Sequence, residues 1–354
     1  MTLRQSSGFL VPMALMALLA AGCAGTAGGM DGEGRRARLE AFRHTAASEV
    51  FEACKPSVVN IGVARKDAAD PKTTHTEYGS GMVLTESGYV LTSAHIFRHG
   101  GNCAVGFTGG PEYPAHVVAK DDGRDLAVLK IDAKPGPGGP VRFRPVRLGR
   151  SRDLVVGERI VTMGSPFGMG LTVTEGTVSA LGRTTNSDFT KFPDMIQTAA
   201  SNNPGGSGGP LLNVFGEVVG INATWKTGAN DIGFAIPIDR VREVLPQVLD
   251  PEGRLSFVLG MRVSMDGPAA VTDVARSSPA EAAGVRVGDV VAAVGPVAVT
   301  SGVEFYLALM DCRPGQALTL RLVREGKTID MIVTLAKGEP RAVEEKKRPA
   351  PAKP

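Results

Sequence analysis

Asn203-Pro204-Gly205-Gly206-Ser207-Gly208-Gly209-Pro210 is the stretch on which the reading of this chain turns. Four glycines around one serine leave no other side chain to do chemistry. Such a loop bends sharply and gathers backbone N–H groups near one point. It leaves the Ser207 hydroxyl open, as a serine nucleophile beside an oxyanion hole requires. Taken alone, a glycine-rich turn with a serine is only a turn. The rest of the chain has to supply the partners.

A serine hydroxyl needs a base, and the base needs a group to orient it. Of the five histidines, His95 closes the apolar run Val90-Leu91-Thr92-Ser93-Ala94-His95, which reads as a strand with the imidazole at its exposed end. His44, His75, His99 and His116 lie in polar or helical surroundings and read as surface residues. An orienting acid should touch an apolar strand, and Asp125 heads Leu126-Ala127-Val128-Leu129-Lys130. Asp121, Asp122 and Asp153 read as more exposed turn acids. The chain order His95, Asp125, Ser207 is that of the chymotrypsin class.

The composition fits a β-rich frame around these residues. A length of 354 residues suits one large domain and one small one, and 43% apolar residues supply a core. The 45 glycines and 24 prolines argue for many turns. A net charge of +3 leaves no nucleic-acid footprint. The absence of a His-Glu-x-x-His word argues against a metalloprotease. Neither a metal nor a cofactor is expected.

From Ser57 the text changes to short apolar runs with turn signals. Strands are predicted over 57–63, 81–85, 89–93, 115–119, 126–131, 159–163, 172–180, 195–198, 210–213, 217–223 and 232–236, the pattern of an all-β barrel or sandwich. A short helix is predicted over 39–53. Asp239 is expected to cap a helix that presents Val241, Val244, Leu245 and Val248 on one face. Asp250-Pro251-Glu252-Gly253 then reads as a linker. The large unit spans 39–250 and a small mixed unit 256–337. In the latter, Ser278-Pro279-Ala280-Glu281 and Ser301-Gly302-Val303-Glu304 are capping boxes, and 316–323 and 328–335 read as strands. The Lys-, Glu- and Pro-rich tail 338–354 carries too little apolar surface to fold.

The N-terminus reads as a targeting segment. Arg4 precedes an apolar stretch over 9–21 that is short for a membrane span and ends in Ala20-Ala21-Gly22-Cys23. Residues 1–23 look like a lipoprotein signal whose Cys23 is acylated, with Ala20 standing where leucine is usual. A plain secretory signal is the alternative. Residues 24–38 read as a flexible tether. Cys54, Cys103 and Cys312 remain. Three buried thiols are favoured, with a Cys54–Cys103 bridge open as the alternative.

Taken together, the local words resemble the HtrA (DegP-like) serine proteases. They are Gly79-Ser80-Gly81, the run Gly88 to His95, Asp121 through Lys130, Ile196-Gln197-Thr198, the octet with Leu211-Leu212-Asn213, and Gly233-Phe234-Ala235-Ile236-Pro237. The likeness covers roughly 50–337. It implies a mainly β fold, a chymotrypsin-like double β-barrel with the site between the barrels. Ser278-Pro279-Ala280, Ala283-Gly284-Val285 and Val287-Gly288-Asp289-Val290-Val291 resemble the small α+β PDZ domain that follows the protease in that family. Phe257 to Met261 looks like its carboxylate-binding loop, so Val258, Leu259, Gly260 and Met261 would capture a peptide C-terminus.

Under that resemblance Ser207 attacks the peptide carbonyl, His95 moves the proton and Asp125 orients the ring. Gly205 and Ser207 N–H groups form the oxyanion hole. Ser201, six residues before the nucleophile, would lie at the floor of the S1 pocket, and because it is not an acid it disfavours cleavage after Lys or Arg. Asn222, Ala223, Thr224 and Trp225 would line a wall, with Trp225 equally readable as core. Three letters depart from the family's usual ones: Gly206 and Ser93 for asparagine, Ala199 for aspartate. Each removes or shortens a hydrogen-bonding side chain, so an oxyanion loop easily disordered without ligand is expected. The resemblance implies an envelope endopeptidase, periplasm-facing and anchored to the outer membrane through Cys23. It would act on unfolded or mislocalised proteins as a homotrimer built by the segment around Phe42 and Phe51. The rival reading is a catalytically weak peptide-binding scaffold or holdase.

Overall fold

The structure, a computed structural model, describes residues 45–66, 74–100, 102–136, 138–186, 191–200, 205–223 and 232–339. The signal, the tether, Cys23, Phe42, His44, Ser201, Thr224, Trp225 and tail residues 340–354 lie outside these. Residues 46–354 form one compact unit.

After helix α1 (Ala46–Cys54), six strands close into a barrel: β1 (Val58–Lys66), β2 (Thr74–Val83), β3 (Tyr89–Thr92), β4 (Asn102–Phe107), β5 (Glu112–Asp121) and β6 (Leu126–Ile131), in the order β1-β2-β3-β6-β5-β4. Seven more form the second sheet: β7 (Arg147–Leu148), β8 (Arg159–Gly164), β9 (Thr172–Asn186), β10 (Lys191–Thr198), β11 (Pro210–Asn213), β12 (Glu217–Ala223) and β13 (Gly233–Pro237). Their order is β11-β8-β9-β10-β13-β12-β7, and a β11–β12 pairing brings its ends together.

Alternation along the strands explains why two barrels form and why they adhere. Val59, Ile61, Val90, Ala127 and Leu129 fill the first barrel. Ile160, Ile196, Leu211 and Val219 fill the second. Their neighbours in sequence, Val58, Tyr89, Leu91, Leu126, Val128, Val161 and Met163, point the other way into a shared core between the barrels. Period-2 side chains that are apolar on both faces demand a partner on each. Burial at about 25 cal/mol per Å² of apolar surface makes the seam between the barrels a source of stability as well as the seat of the loops.

Helix α2 (Ile238–Leu249) follows β13 and buries Ile238, Val241, Leu245, Val248 and Leu249. The expected cap residue, Asp239, lies inside the first turn instead, with Pro237 at the N-cap position. Asp239 accepts a hydrogen bond from Arg152 N (2.9 Å) and so ties the helix to a neighbouring turn. The expected linker is a helix too: Asp250, in the left-handed region, ends α2 and caps α3 (Pro251–Leu255).

The small unit contains β14 (Phe257–Val258), β15 (Met261–Val263), β16 (Val271–Val274), α4 (Pro279–Ala282), β17 (Val290–Val294), β18 (Val297–Ala298), α5 (Gly302–Leu309), β19 (Ala317–Arg324), β20 (Lys327–Thr334) and β21 (Ala336–Lys337). Ser278 and Ser301 cap α4 and α5 as read, accepting from Glu281 N and Glu304 N. Val303 and Leu307 of α5 join the core shared by the barrels. Tyr89 Oη donates to Asp311 Oδ1 (3.1 Å) across the same junction. The first half of β2 carries no apolar alternation, whereas β4 alternates Cys103, Val105 and Phe107 toward the first barrel's core; the strands predicted from the sequence include neither. Barrel closure supplies backbone partners for both: β4 pairs with β1 on one edge and β5 on the other, and the first half of β2 pairs with β1. Among the described residues, no helix is long and apolar enough to cross a membrane.

Candidate active site

The site assembles from three loops at the seam between the barrels. Strand β3 stops at Thr92, one residue before the predicted end at Ser93 and three before His95. Ser93 then leads into a 3-10 turn, Ala94–Phe97, and His95 stands on that turn rather than at a strand end. Ala94, Ile96 and Phe97 are buried and anchor the turn, while the His95 side chain stays 27% exposed.

Asp125 ends the turn between β5 and β6. Asp121 Oδ1 accepts from Arg124 N (2.9 Å), and the chain then passes through Asp125 at φ 55°. Aspartate is among the few non-glycine residues that tolerate this left-handed region. The strain is offset by what the side chain holds. Asp125 Oδ1 accepts from the backbone N of His95 (2.8 Å), and its two oxygens lie 3.0 and 2.9 Å from His95 Nδ1. One buried carboxylate therefore fixes both the backbone and the ring of His95. With Nδ1 engaged, Nε2 is the ring nitrogen left to take a proton.

The octet is described from Gly205. Its carbonyls turn inward: Ser80 Oγ donates to Gly205 O (2.7 Å), Gly209 N to Gly206 O (3.1 Å) and Ser80 N to Ser207 O (2.9 Å). Gly208 sits at φ 83°. A Cβ there would lie 2.3 Å from Thr92 Oγ1 and 2.8 Å from Ser93 N, so only glycine lets the Ser207 loop seat against the residues that lead into His95. Ser207 itself is buried.

Ser80 was quoted in the sequence only as part of a motif, and its role was missed. Its hydroxyl accepts from Ser165 N (2.8 Å) while donating to Gly205 O. Its carbonyl accepts from Thr92 Oγ1 (2.6 Å). One fully buried serine thus joins β2, β3, the end of β8 and the Ser207 loop. A polar residue set between two glycines in an apolar strand was the available signal. Gly206 lies equally close: a Cβ on Gly164 would stand 2.8 Å from its Cα. Ser93 Oγ is buried without a hydrogen-bond partner.

The proposed pocket residues are placed differently from one another. Asn222 is buried, its Nδ2 donates to Pro210 O (3.0 Å), and its backbone exchanges hydrogen bonds with Gly208 and Gly209. It braces the loop. Ala223 is buried in the core between the barrels. Ser201, Thr224 and Trp225 lie outside the described residues. Ala199 N donates to Thr177 O (3.1 Å). In the small unit, Val258 is half-buried, Leu259 and Met261 are buried, and Gly260 takes φ 76° between β14 and β15. Cys54, Cys103 and Cys312 are unbridged and buried, and burial pushes the Cys103 and Cys312 thiols up to about 11. Among the described residues no cluster of His, Cys, Asp or Glu could hold a metal ion.

Two family models match the chain: a trypsin-like peptidase domain over 79–221 and a PDZ domain over 258–335. A probable periplasmic serine endoprotease, DegP-like, of Chlamydia trachomatis is 35% identical over 77% of this chain and 56% of its own length. The chain therefore spans little more than half of that relative. The chloroplastic Protease Do-like 1 of Arabidopsis thaliana is 32% identical over 82% of this chain and 71% of its own. Among solved structures, the HtrA-type protease AlgW with tripeptide is 28% identical, with a TM-score of 0.51 over 84% of this chain and 99% of that one.

Proposed function

The chain belongs to the HtrA (DegP-like) family of trypsin-like serine proteases, and on that premise we propose that it is a serine endopeptidase acting through Ser207, His95 and Asp125. The observation that carries this is the Asp125 carboxylate held on both the ring and the backbone of His95, with the Ser207 loop seated on Thr92 and Ser93.

Ser207 Oγ attacks the scissile carbonyl carbon while His95 Nε2 takes its proton, and the carbonyl electron pair becomes an oxyanion. Asp125 holds the Nδ1–H tautomer and offsets the charge of the imidazolium. The inward-turned loop carbonyls support a loop whose Gly205 and Ser207 amides, rather than its carbonyls, meet the oxyanion; one such donor contributes about 3–4 kcal/mol. The imidazolium then protonates the leaving amine as the C–N bond breaks. Water, deprotonated by the same nitrogen, releases the acyl group and restores Ser207.

The small unit is read as the module that recognises peptide C-termini, and one neighbour, AlgW, was solved with a tripeptide. Relatives named as periplasmic support an envelope protease of unfolded or mislocalised proteins. Lipid attachment at Cys23 and a trimer formed through the segment of Phe42 and Phe51 complete the proposal. Phe51 is half-buried against the shared core.

Fluorophosphonate labelling and casein hydrolysis, compared between the wild type and Ser207→Ala, form the test. The variant should lose both, with a rate falling about 10⁶-fold. Casein hydrolysis that survives in Ser207→Ala would sink the assignment, and a wild type that neither labels nor cleaves would favour the scaffold reading. Mass spectrometry of the mature N-terminus reads the acylation: an unmodified or uncleaved Cys23 would remove the anchor.

A further inference from the structure

The amides assigned to peptide capture already hold a carboxylate. Leu259 N–H (3.0 Å) and Gly260 N–H (2.9 Å) both donate to Glu252 Oε1, which reaches over from α3. The loop that presents them is rigid. Its carbonyls accept from Ala280 N (at Leu259, 3.0 Å) and Ala275 N (at Gly260, 2.9 Å), and Leu259 is buried.

A strand edge adjoins these amides. Gly260 O accepts from Ala275 N and Ser264 N donates to Ala270 O (2.7 Å), so the even-numbered residues of this stretch face β16. In an extended strand the backbone groups of Met261 and Val263 then face the other edge, where a peptide strand would add. There Tyr306, half-buried on α5, has the Val263 backbone among the groups near its phenol. The contact on which a peptide C-terminus depends, carboxylate to paired amides, is met by a side chain of the chain itself.

We propose that Glu252 is a built-in carboxylate that closes the peptide site of the small unit, so that a peptide C-terminus binds only by displacing it. The proposal rests on the reading of this unit as a module for peptide C-termini. Glu252 is half-buried, so it can leave to solvent. An arriving carboxylate replaces its two hydrogen bonds one for one, and the surplus that drives binding comes from pairing along β15. A bare carboxylate such as acetate therefore does not open the site. A peptide with a strand's length of backbone does, at an affinity reduced by the fraction of molecules that are open.

Eviction has a consequence beyond the site. Glu252 sits on the five-residue helix that joins the two folded parts, capped by Asp250 at the end of α2. Helix α2 is packed in the core between the barrels. Occupancy of the peptide site is thereby linked to the element that leads back to the barrels.

The test uses the full chain and a fluorescein-labelled decapeptide ending in valine, as the free acid and as the C-terminal amide. Anisotropy is read for the wild type, Glu252→Gln and Glu252→Ala. With about one molecule in ten open in the wild type, Glu252→Ala should bind the free acid about tenfold tighter. Glu252→Gln keeps an acceptor and the helix but loses the charge, and should fall between the two. The amide, which brings no carboxylate to the two N–H groups, should bind each of the three more weakly than the free acid does. Equal binding of the free acid by all three overturns the gate while leaving the peptide-site reading intact. Binding by none of them, with Ser207-dependent casein hydrolysis retained, overturns the peptide-site reading and the gate with it.

Discussion

Removing one hydroxyl, in Ser80→Ala, should unseat the oxyanion loop. Ser80 Oγ makes two buried hydrogen bonds, donating to Gly205 O at 2.7 Å and accepting from Ser165 N at 2.8 Å. Alanine leaves both partners in place and unsatisfied. A buried polar group without a partner costs about 1–3 kcal/mol, so the native arrangement loses about 2–6 kcal/mol in all. The loop can recover part of this by turning Gly205 O toward water. The small Gly206 beside it opposes that turn little, since glycine is free to adopt either hand. If about 2 kcal/mol of the loss separates the seated loop from the unseated one, the ratio of seated to unseated molecules falls about 30-fold. The amides of the hole act on the transition state, so the loss should fall on kcat with KM held. Hydrolysis of a fluorogenic peptide measures both constants, and calorimetry reports the fold. An unchanged kcat in a folded Ser80→Ala protein, or a change confined to KM, would refute the reasoning.

Two further outcomes follow from buried acids. Asp125→Asn can still accept from His95 N through Oδ1, but its amide would face Nδ1 and favour the wrong tautomer, so kcat should drop about 10⁴-fold with little loss of melting temperature; a drop under tenfold would contradict the assigned role. In the small unit, Asp289 is buried against Arg324 (Nε to Oδ1 2.6 Å), whose hydrogen bonds, aided by Arg286 N, hold the carboxyl below the ordinary carboxylate range. A depressed folded-state pKa means stability that is present above the unfolded value, about 3.9, and lost as pH falls through the folded one. Asp289→Asn should lower the unfolding free energy near neutral pH, and its difference from the wild type should shrink below about pH 4, as urea titrations at several pH values would read. A difference that stays constant with pH would refute the linkage.

Much of the barrel pair was legible because its strands are apolar on both faces and bounded by glycine and proline. The run Leu126-Ala127-Val128-Leu129 needs burial on both sides wherever it sits, and the core divides it accordingly. The first half of β2 was not legible, because the force that extends it is backbone pairing with β1 rather than side-chain pattern; β4, between β1 and β5, carries only the short alternation Cys103, Val105, Phe107. His95 and Asp125 could be singled out by where they stand relative to apolar runs. That His95 rides a 3-10 turn depends on where barrel closure ends β3.

The sequence by itself determined which residues can do chemistry: a lone serine among four glycines, a histidine and an acid each bordering an apolar run. Side-chain type and local spacing carry that information. Tertiary structure alone decided which polar groups meet. Ser80 and Gly205 are separated by 125 positions, and the seam between two closed barrels brings them to 2.7 Å. Glu252 and Gly260 are near in sequence, yet their meeting required the expected linker to be a helix and the loop after it to turn at φ 76°. Both contacts arise because buried amides and carbonyls must find partners, and the fold, not the local pattern, dictates which are within reach.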